Sequence, residues 1–308
     1  MTAQERSSSG ASGSTSVLDR DAAAQQARAD DVFTPEVQVH EPHRIGVPPI
    51  GPYLRGVWRR RQFAHELSRT TLRAQHFETV FGQLWMILNP LLLTLVYFLL
   101  VDILRHGKHG PAFFAHLMAC IFLYNLFSNS VTQGAKSVVS SGRLVLNTAF
   151  PRVLLPLSAV LTGFMRFLPT ILIYAIVHAV SGLPVGPELL WIFPLFALVV
   201  VFTTGVTMLV AAAQVYFRDV SSFLPYVLRI WMYGTPILYF YHEIPGNLHY
   251  FIDANPLTPI FASWSRVIDL GLPPTPKFLL WSVGWSVAAF VVGGLFFISR
   301  EREFAVRL

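Results

Sequence analysis

Long stretches of this 308-residue chain contain no Asp, Glu, Lys or Arg, among them residues 79–101, 189–217 and 278–299. A helix rises about 1.5 Å per residue, so each stretch can cross a hydrocarbon core about 30 Å thick. In such a core every backbone N–H and C=O must be paired within the protein, which leaves only helices and closed barrels. Barrel strands alternate in polarity, whereas these runs are unbroken. The expected fold is therefore all-α and membrane-integral, and a soluble enzyme is excluded. The composition agrees, with 13% charged residues where a soluble domain carries about 25%.

Six transmembrane helices are expected, near 79–103, 112–135, 153–180, 189–214, 221–241 and 278–299. The third and fifth each carry one arginine, Arg166 and Arg229. Pro90, Pro169, Pro194 and Pro236 fall inside spans, where neighbouring helices can satisfy the freed carbonyls. With the N-terminus inside, and counting from residue 53, thirteen Lys and Arg lie on the cytoplasmic side and four (Arg105, Lys108, Arg266, Lys277) outside. That bias places both termini in the cytoplasm. Residues 242–277 then lie outside, yet they are apolar and broken by Pro245, Pro256 and Pro259. A pair of short re-entrant helices fits them better than a span.

The net charge of +6 is unevenly divided. Residues 1–41 hold seven acids and three bases, and with the linker to residue 52 they read as a disordered cytoplasmic tail. Residues 53–78 are basic, with Arg55, Arg59, Arg60 and Arg61 near their start, and read as an amphipathic helix on the membrane surface. Residues 79–308 form the membrane domain. The basic body suits anionic headgroups and cytoplasmic partners rather than nucleic acid. Cys120 is the single cysteine, so no disulfide can form within the chain, and no metal-ligand set is evident.

The acids identify what powers such a chain. Between residues 79 and 242 only Asp102, Glu188 and Asp219 occur, each at an expected span boundary. Ion-coupled transporters place carboxylates near the midplane. The phosphate-loop pattern G-x-x-x-x-G-K-[ST] is absent as well. Active transport would then draw its energy from a partner docked on a cytoplasmic loop. Two loops qualify. Residues 136–156 carry Arg143, Leu144, Val145, Leu146, Asn147, Phe150 and Arg152, with the three apolar residues available to a partner. Residues 216–220 carry the Arg218–Asp219 pair. From the residues alone, a membrane-surface loop with an apolar anchor fits the first equally well, and an Arg–Asp pair is usually a solvated loop feature.

These segments together resemble the permease subunit of type-2 ABC exporters of polysaccharide, the group that exports O-antigen, teichoic acid and mycobacterial galactan. The matching residues are Gly82-Gln83-Leu84-Trp85 with Leu88-Asn89-Pro90-Leu91, then Asn147, Phe150-Pro151-Arg152 and Leu155-Pro156-Leu157. Tyr216-Phe217-Arg218-Asp219-Val220, Pro236-Ile237-Leu238-Tyr239 and Asn255-Pro256-Leu257 complete the set. The resemblance covers residues 53–308. It implies a homodimer in a bacterial cytoplasmic membrane, with two copies of a separate ATPase subunit that binds ATP and Mg; this chain itself carries no cofactor. It also implies that the 136–156 loop couples ATP-driven movement to the spans and that the basic helix gates admission of a lipid-linked glycan.

Arg166 and Arg229, with the four arginines at 55–61, are candidate ligands of a polyprenyl pyrophosphate. Trp85, Tyr97, Phe122, Tyr124, Tyr174, Trp231, Tyr233 and Tyr239 are candidates for the glycan pathway, because aromatic faces pack on the C–H faces of sugars. An exporter of drugs or lipids is an alternative. So is a membrane glycosyltransferase, although Asp253 and Asp269 read as isolated outside and Asp219 as isolated inside.

Overall fold

The computed structural model describes residues 49–75, 81–104 and 110–308. The chain divides into units of residues 1–45 and 46–308, and every described residue belongs to the second. The expected tail therefore lies outside the described residues up to residue 48, as do the end of the basic segment and the outer bases Arg105 and Lys108.

Among the described residues every regular element is helical. Two helices replace the single basic one: α1 (Ile50–Arg59) and α2 (Arg61–Gln75) meet at Arg60, whose N–H still bonds Gly56 O and Val57 O at 3.2 Å. Helix α1 starts inside the expected linker. Pro52 sits in its first turn, where the missing N–H has no helical partner to lose. Among the described residues, five helices are long and apolar enough to cross a membrane. These are α3 (Trp85–Leu104, entered by a 3-10 turn at Gly82–Leu84), α4 (Pro111–Ser140), α6 (Leu154–Val180), α7 (Ile192–Tyr216) and α11 (Pro276–Arg300). A short α5 (Gly142–Asn147) joins α4 to α6.

The segment expected as the fifth span differs. Helix α8 (Val220–Tyr233) has 14 residues and ends at Gly234, about 21 Å at helical rise. Pro236 follows the end instead of kinking a helix, and residues 234–239 continue as turns. Two short helices come next, α9 (His249–Asp253) and α10 (Thr258–Leu270). Pro259 opens α10, and Gly271, left-handed at φ 60°, closes it. A final turn, α12 (Phe304–Arg307), ends the chain.

Burial orders these helices. In the most apolar stretch of α4, 72% of residues are buried, against 11% in α3. Helices α4 and α7 form the centre, with α3, α6 and α11 around them. Helix α10 joins the centre: Ile260, Phe261, Val267 and Ile268 are fully buried. Its short backbone, opened by a proline, is thus surrounded by protein. Helices α7 and α11 cross at glycines. A Cβ on Gly293 would stand 2.0 Å from the Gly205 carbonyl oxygen, so the backbones touch directly. Close approach of this kind replaces the hydrophobic drive that lipid does not supply.

Candidate functional site

The loops expected on the cytoplasmic side form one connected face. Glu301, just after α11, accepts hydrogen bonds from the Tyr53 hydroxyl of α1 and from the backbone N–H of Arg152. The Arg152 guanidinium donates to the Glu301 carbonyl, and that of Arg60 to the Ala149 carbonyl. Phe63 packs on Phe150 with ring centroids 5.1 Å apart. The Ser68 hydroxyl of α2 donates to Ser158 O on α6 at 2.8 Å. Burial and the Glu301 carboxylate push the Tyr53 phenol far above its ordinary value, so it stays a donor. Helices α1 and α2, the 149–152 loop and the chain's end are thus tied into one unit. Neither Tyr53 nor Glu301 stood out in the sequence.

Within α5 the three apolar residues do not share a face. Val145 is buried, Leu144 is half-buried, and Leu146 is 59% exposed beside exposed Arg143 and Asn147. Consecutive helical residues point about 100° apart, so three in a row cannot all meet one partner. The α7–α8 turn is built by Gln214. Its amide donates to Arg218 O at 2.7 Å and accepts from Ser221 N at 2.7 Å. Arg218 and Asp219 are left exposed at the tip. On α1, Leu54 and Trp58 are exposed together with Arg55 and Arg59, while Tyr53 and Val57 turn inward. The Arg61 guanidinium lies 4.7 Å from the centre of the Trp58 ring.

Within the membrane region the two arginines occupy different settings. Arg166 lines a cavity of about 420 Å³ between α3, α4 and α6, with Trp85, Asn89, Phe122, Asn125 and Asn129. Turned with its carbonyl toward the guanidinium, the Gln133 amide accepts from both terminal nitrogens of Arg166, at 2.7 and 3.1 Å. Arg229 lies on the exposed face of α8. Tyr226, Ile230 and Tyr233 share that face at helical spacing and are 69%, 70% and 46% exposed. The Tyr233 hydroxyl lies 3.4 Å from that of Tyr97 on α3. Arg166 and Arg229 are therefore not brought together.

The other pathway candidates divide by burial. Phe122 is buried, between the polar cavity and an apolar one of about 740 Å³ lined also by Phe164, Phe196, Tyr174 and Trp264. Tyr124 is buried and donates to Leu228 O. The Tyr174 hydroxyl meets His178 Nδ1 at 3.1 Å. The Tyr239 hydroxyl donates to Tyr233 O at 3.2 Å. Trp231 donates from Nε1 to Asn255 Oδ1 at 2.7 Å. Asn255 also accepts from Leu257 N at 3.0 Å and donates to Gly234 O and Thr235 Oγ1 at 2.8 and 2.9 Å. The Asn255-Pro256-Leu257 motif thus holds the end of α8 against the start of α10.

Two acids read as isolated have partners. Asp253 accepts from the Tyr241 hydroxyl at 2.8 Å. Asp269 Oδ2, half-buried where α4 meets α10, lies 2.6 Å from Nδ1 of the buried His116 and from Ser265 Oγ. A sequence separation of 153 between His116 and Asp269 hides that pair from the sequence.

Comparison with known proteins fits this arrangement of a helical membrane body with one linked loop face. Over 207 residues, 67% of this chain, it is 29% identical to the O-antigen export system permease protein RfbA of Klebsiella pneumoniae, covering 80% of that protein. A protein of the same name from Myxococcus xanthus is 28% identical over 261 residues, covering 82% of this chain and 97% of the relative. Residues 61–268 match the model of the ABC-2 type transporter family, a region running from the first residue of α2 into α10 and taking in α3, α4 and α6–α8. The chain therefore belongs to the ABC-2 type transporter family, as a multi-pass membrane subunit of a transporter and not an enzyme.

Proposed function

We propose that this chain is the permease of an ABC exporter that moves a polyprenyl-pyrophosphate-linked polysaccharide, galactan or an O-antigen-like glycan, outward across a bacterial cytoplasmic membrane. Two copies pair with two copies of a separate ATPase subunit, which binds ATP and Mg. Both termini face the cytoplasm. Helix α8 with the turns after it serves as the fifth of six spans, and α9 and α10 as the outer re-entrant pair.

The observation that carries this reading is the exposed stripe of α8. An arginine facing lipid at mid-membrane costs about 2.5–3.5 kcal/mol by insertion scales, so such residues face a wet cavity or a partner. Arg229 flanked by Tyr226 and Tyr233 suits a pathway enclosed between two copies, where aromatic faces pass sugar rings and a guanidinium meets pyrophosphate. The exposed tips Arg143, Leu146 and Asn147, and Arg218 with Asp219, then receive the ATPase. Glu301 links that docking surface to α1, whose exposed Leu54, Arg55, Trp58 and Arg59 meet the incoming lipid head. Depletion of the chain in its native cell tests the reading. Lipid-linked glycan should accumulate on the cytoplasmic face; unchanged surface glycan with no accumulation refutes it.

A further inference from the structure

We propose that the cavity between α3, α4 and α6 binds an anionic sugar: a hydroxyl-bearing ring carrying a phosphate or a carboxylate. The proposal rests on the export reading and adds a glycan subsite within each protomer, apart from the α8 stripe.

The guanidinium of Arg166 has five N–H groups. Gln133 takes one from each terminal nitrogen. The Nε–H is buried and has no partner among the described residues. No Asp or Glu is among the residues lining the cavity. A positive charge at membrane depth, held in place by a neutral amide and lacking a carboxylate, is arranged for an anion that is not part of the protein. The planar fork left free on Nε and one terminal nitrogen matches the two oxygens of a carboxylate or phosphate.

The rest of the wall is not that of a bare anion site. Asn125 and Asn129 project from one face of α4, four residues apart, and Asn89 faces them from α3. Each amide offers both donors and acceptors, as ring hydroxyls require. Trp85 and Phe122 supply the apolar faces on which sugar C–H groups pack. The volume of about 420 Å³ lies within the range of small-molecule sites, about 300–1,000 Å³.

The test uses the whole permease in nanodiscs of zwitterionic lipid, without the ATPase, and reads binding by saturation-transfer NMR. Four probes are compared: galactose 1-phosphate, galacturonate, methyl galactoside and inorganic phosphate. Saturable binding of galactose 1-phosphate or galacturonate is expected, at least 10-fold tighter than methyl galactoside, and which of the two is preferred identifies the anion. Arg166→Gln should weaken that binding at least 10-fold, and Asn129→Ala should weaken it several-fold while leaving thermal stability unchanged. Equal affinity for methyl galactoside overturns the anionic assignment. Equal affinity for inorganic phosphate leaves an anion site only and overturns the sugar. No binding of any probe, or binding unchanged in both variants, overturns the proposal outright. None of these results depends on export, so a failure here is distinct from a failure of the depletion experiment.

Discussion

Replacing Glu301 by Ala removes the acceptor shared by the Tyr53 hydroxyl and the Arg152 backbone N–H. A hydrogen bond to a charged group contributes about 1.5–3 kcal/mol. Glu301 is half-buried, so water replaces part of the loss, and the low end of that range applies to each bond. The expected destabilisation is about 3 kcal/mol. At about 2–4 °C per kcal/mol for a chain above 150 residues, Tm should fall by about 6–12 °C in neutral detergent. Tyr53→Phe removes only one bond and should cost about 1.5 kcal/mol. The two changes share an interaction, so the double variant should be less than additive, by about 1.5 kcal/mol. Thermal unfolding of the four proteins measures this directly. Strict additivity, or a Glu301→Ala protein within 1 °C of wild type, refutes the claim that Glu301 ties α1 to the 149–152 loop.

Three further outcomes follow from the geometry. Gly293→Ala places a methyl against the Gly205 backbone, where neither helix can give by a side-chain rotation; overpacking costs about 1–3 kcal/mol and the upper end is expected, read as a lower Tm. Asn255→Asp keeps the shape but turns a carboxylate oxygen toward the Gly234 carbonyl. It should destabilise by about 2 kcal/mol, more than Asp253→Asn, which leaves an acceptor for Tyr241. In a Cys120→Ser background, Tyr233→Cys should crosslink two copies in membranes on mild oxidation, whereas Leu280→Cys on the exposed face of α11 should not; the reverse pattern, read on a denaturing gel, places the dimer elsewhere.

The helical membrane body was legible because charge-free runs of 22 or more residues admit no other structure in a bilayer. The long helices around Arg166 and through the polar end of α4 were legible too, since one charge or a few amides do not outweigh the apolar surroundings. The end of α8 was not. Its apolar run continues to Tyr241, but Gly234 and Pro236 stop the helix, and the break is held by Asn255, 21 residues from Gly234. The basic segment read as one helix because its charge pattern runs through Arg60, where only the backbone changes course. Arg166 and Trp85 were singled out separately, as a buried charge and an aromatic ring. That they share a cavity depends on the packing of α3 on α6, which one sequence does not encode in any local pattern. Glu301 and Asp269 were missed for the same reason: each meets partners more than 140 residues away.

The central claim is that this chain is the passage for a lipid-linked glycan moved by a partner's ATP hydrolysis. Its most direct test is reconstitution of the permease with its ATPase in proteoliposomes loaded on one face with polyprenyl-pyrophosphate-linked glycan, measuring how much becomes accessible to a glycosidase on the opposite face. ATP-dependent transfer is expected, and it should be lost with Arg229→Leu in a stably folded protein. Transfer at the same rate without ATP, or none in a complex that still hydrolyses ATP in response to the glycan, would contradict it.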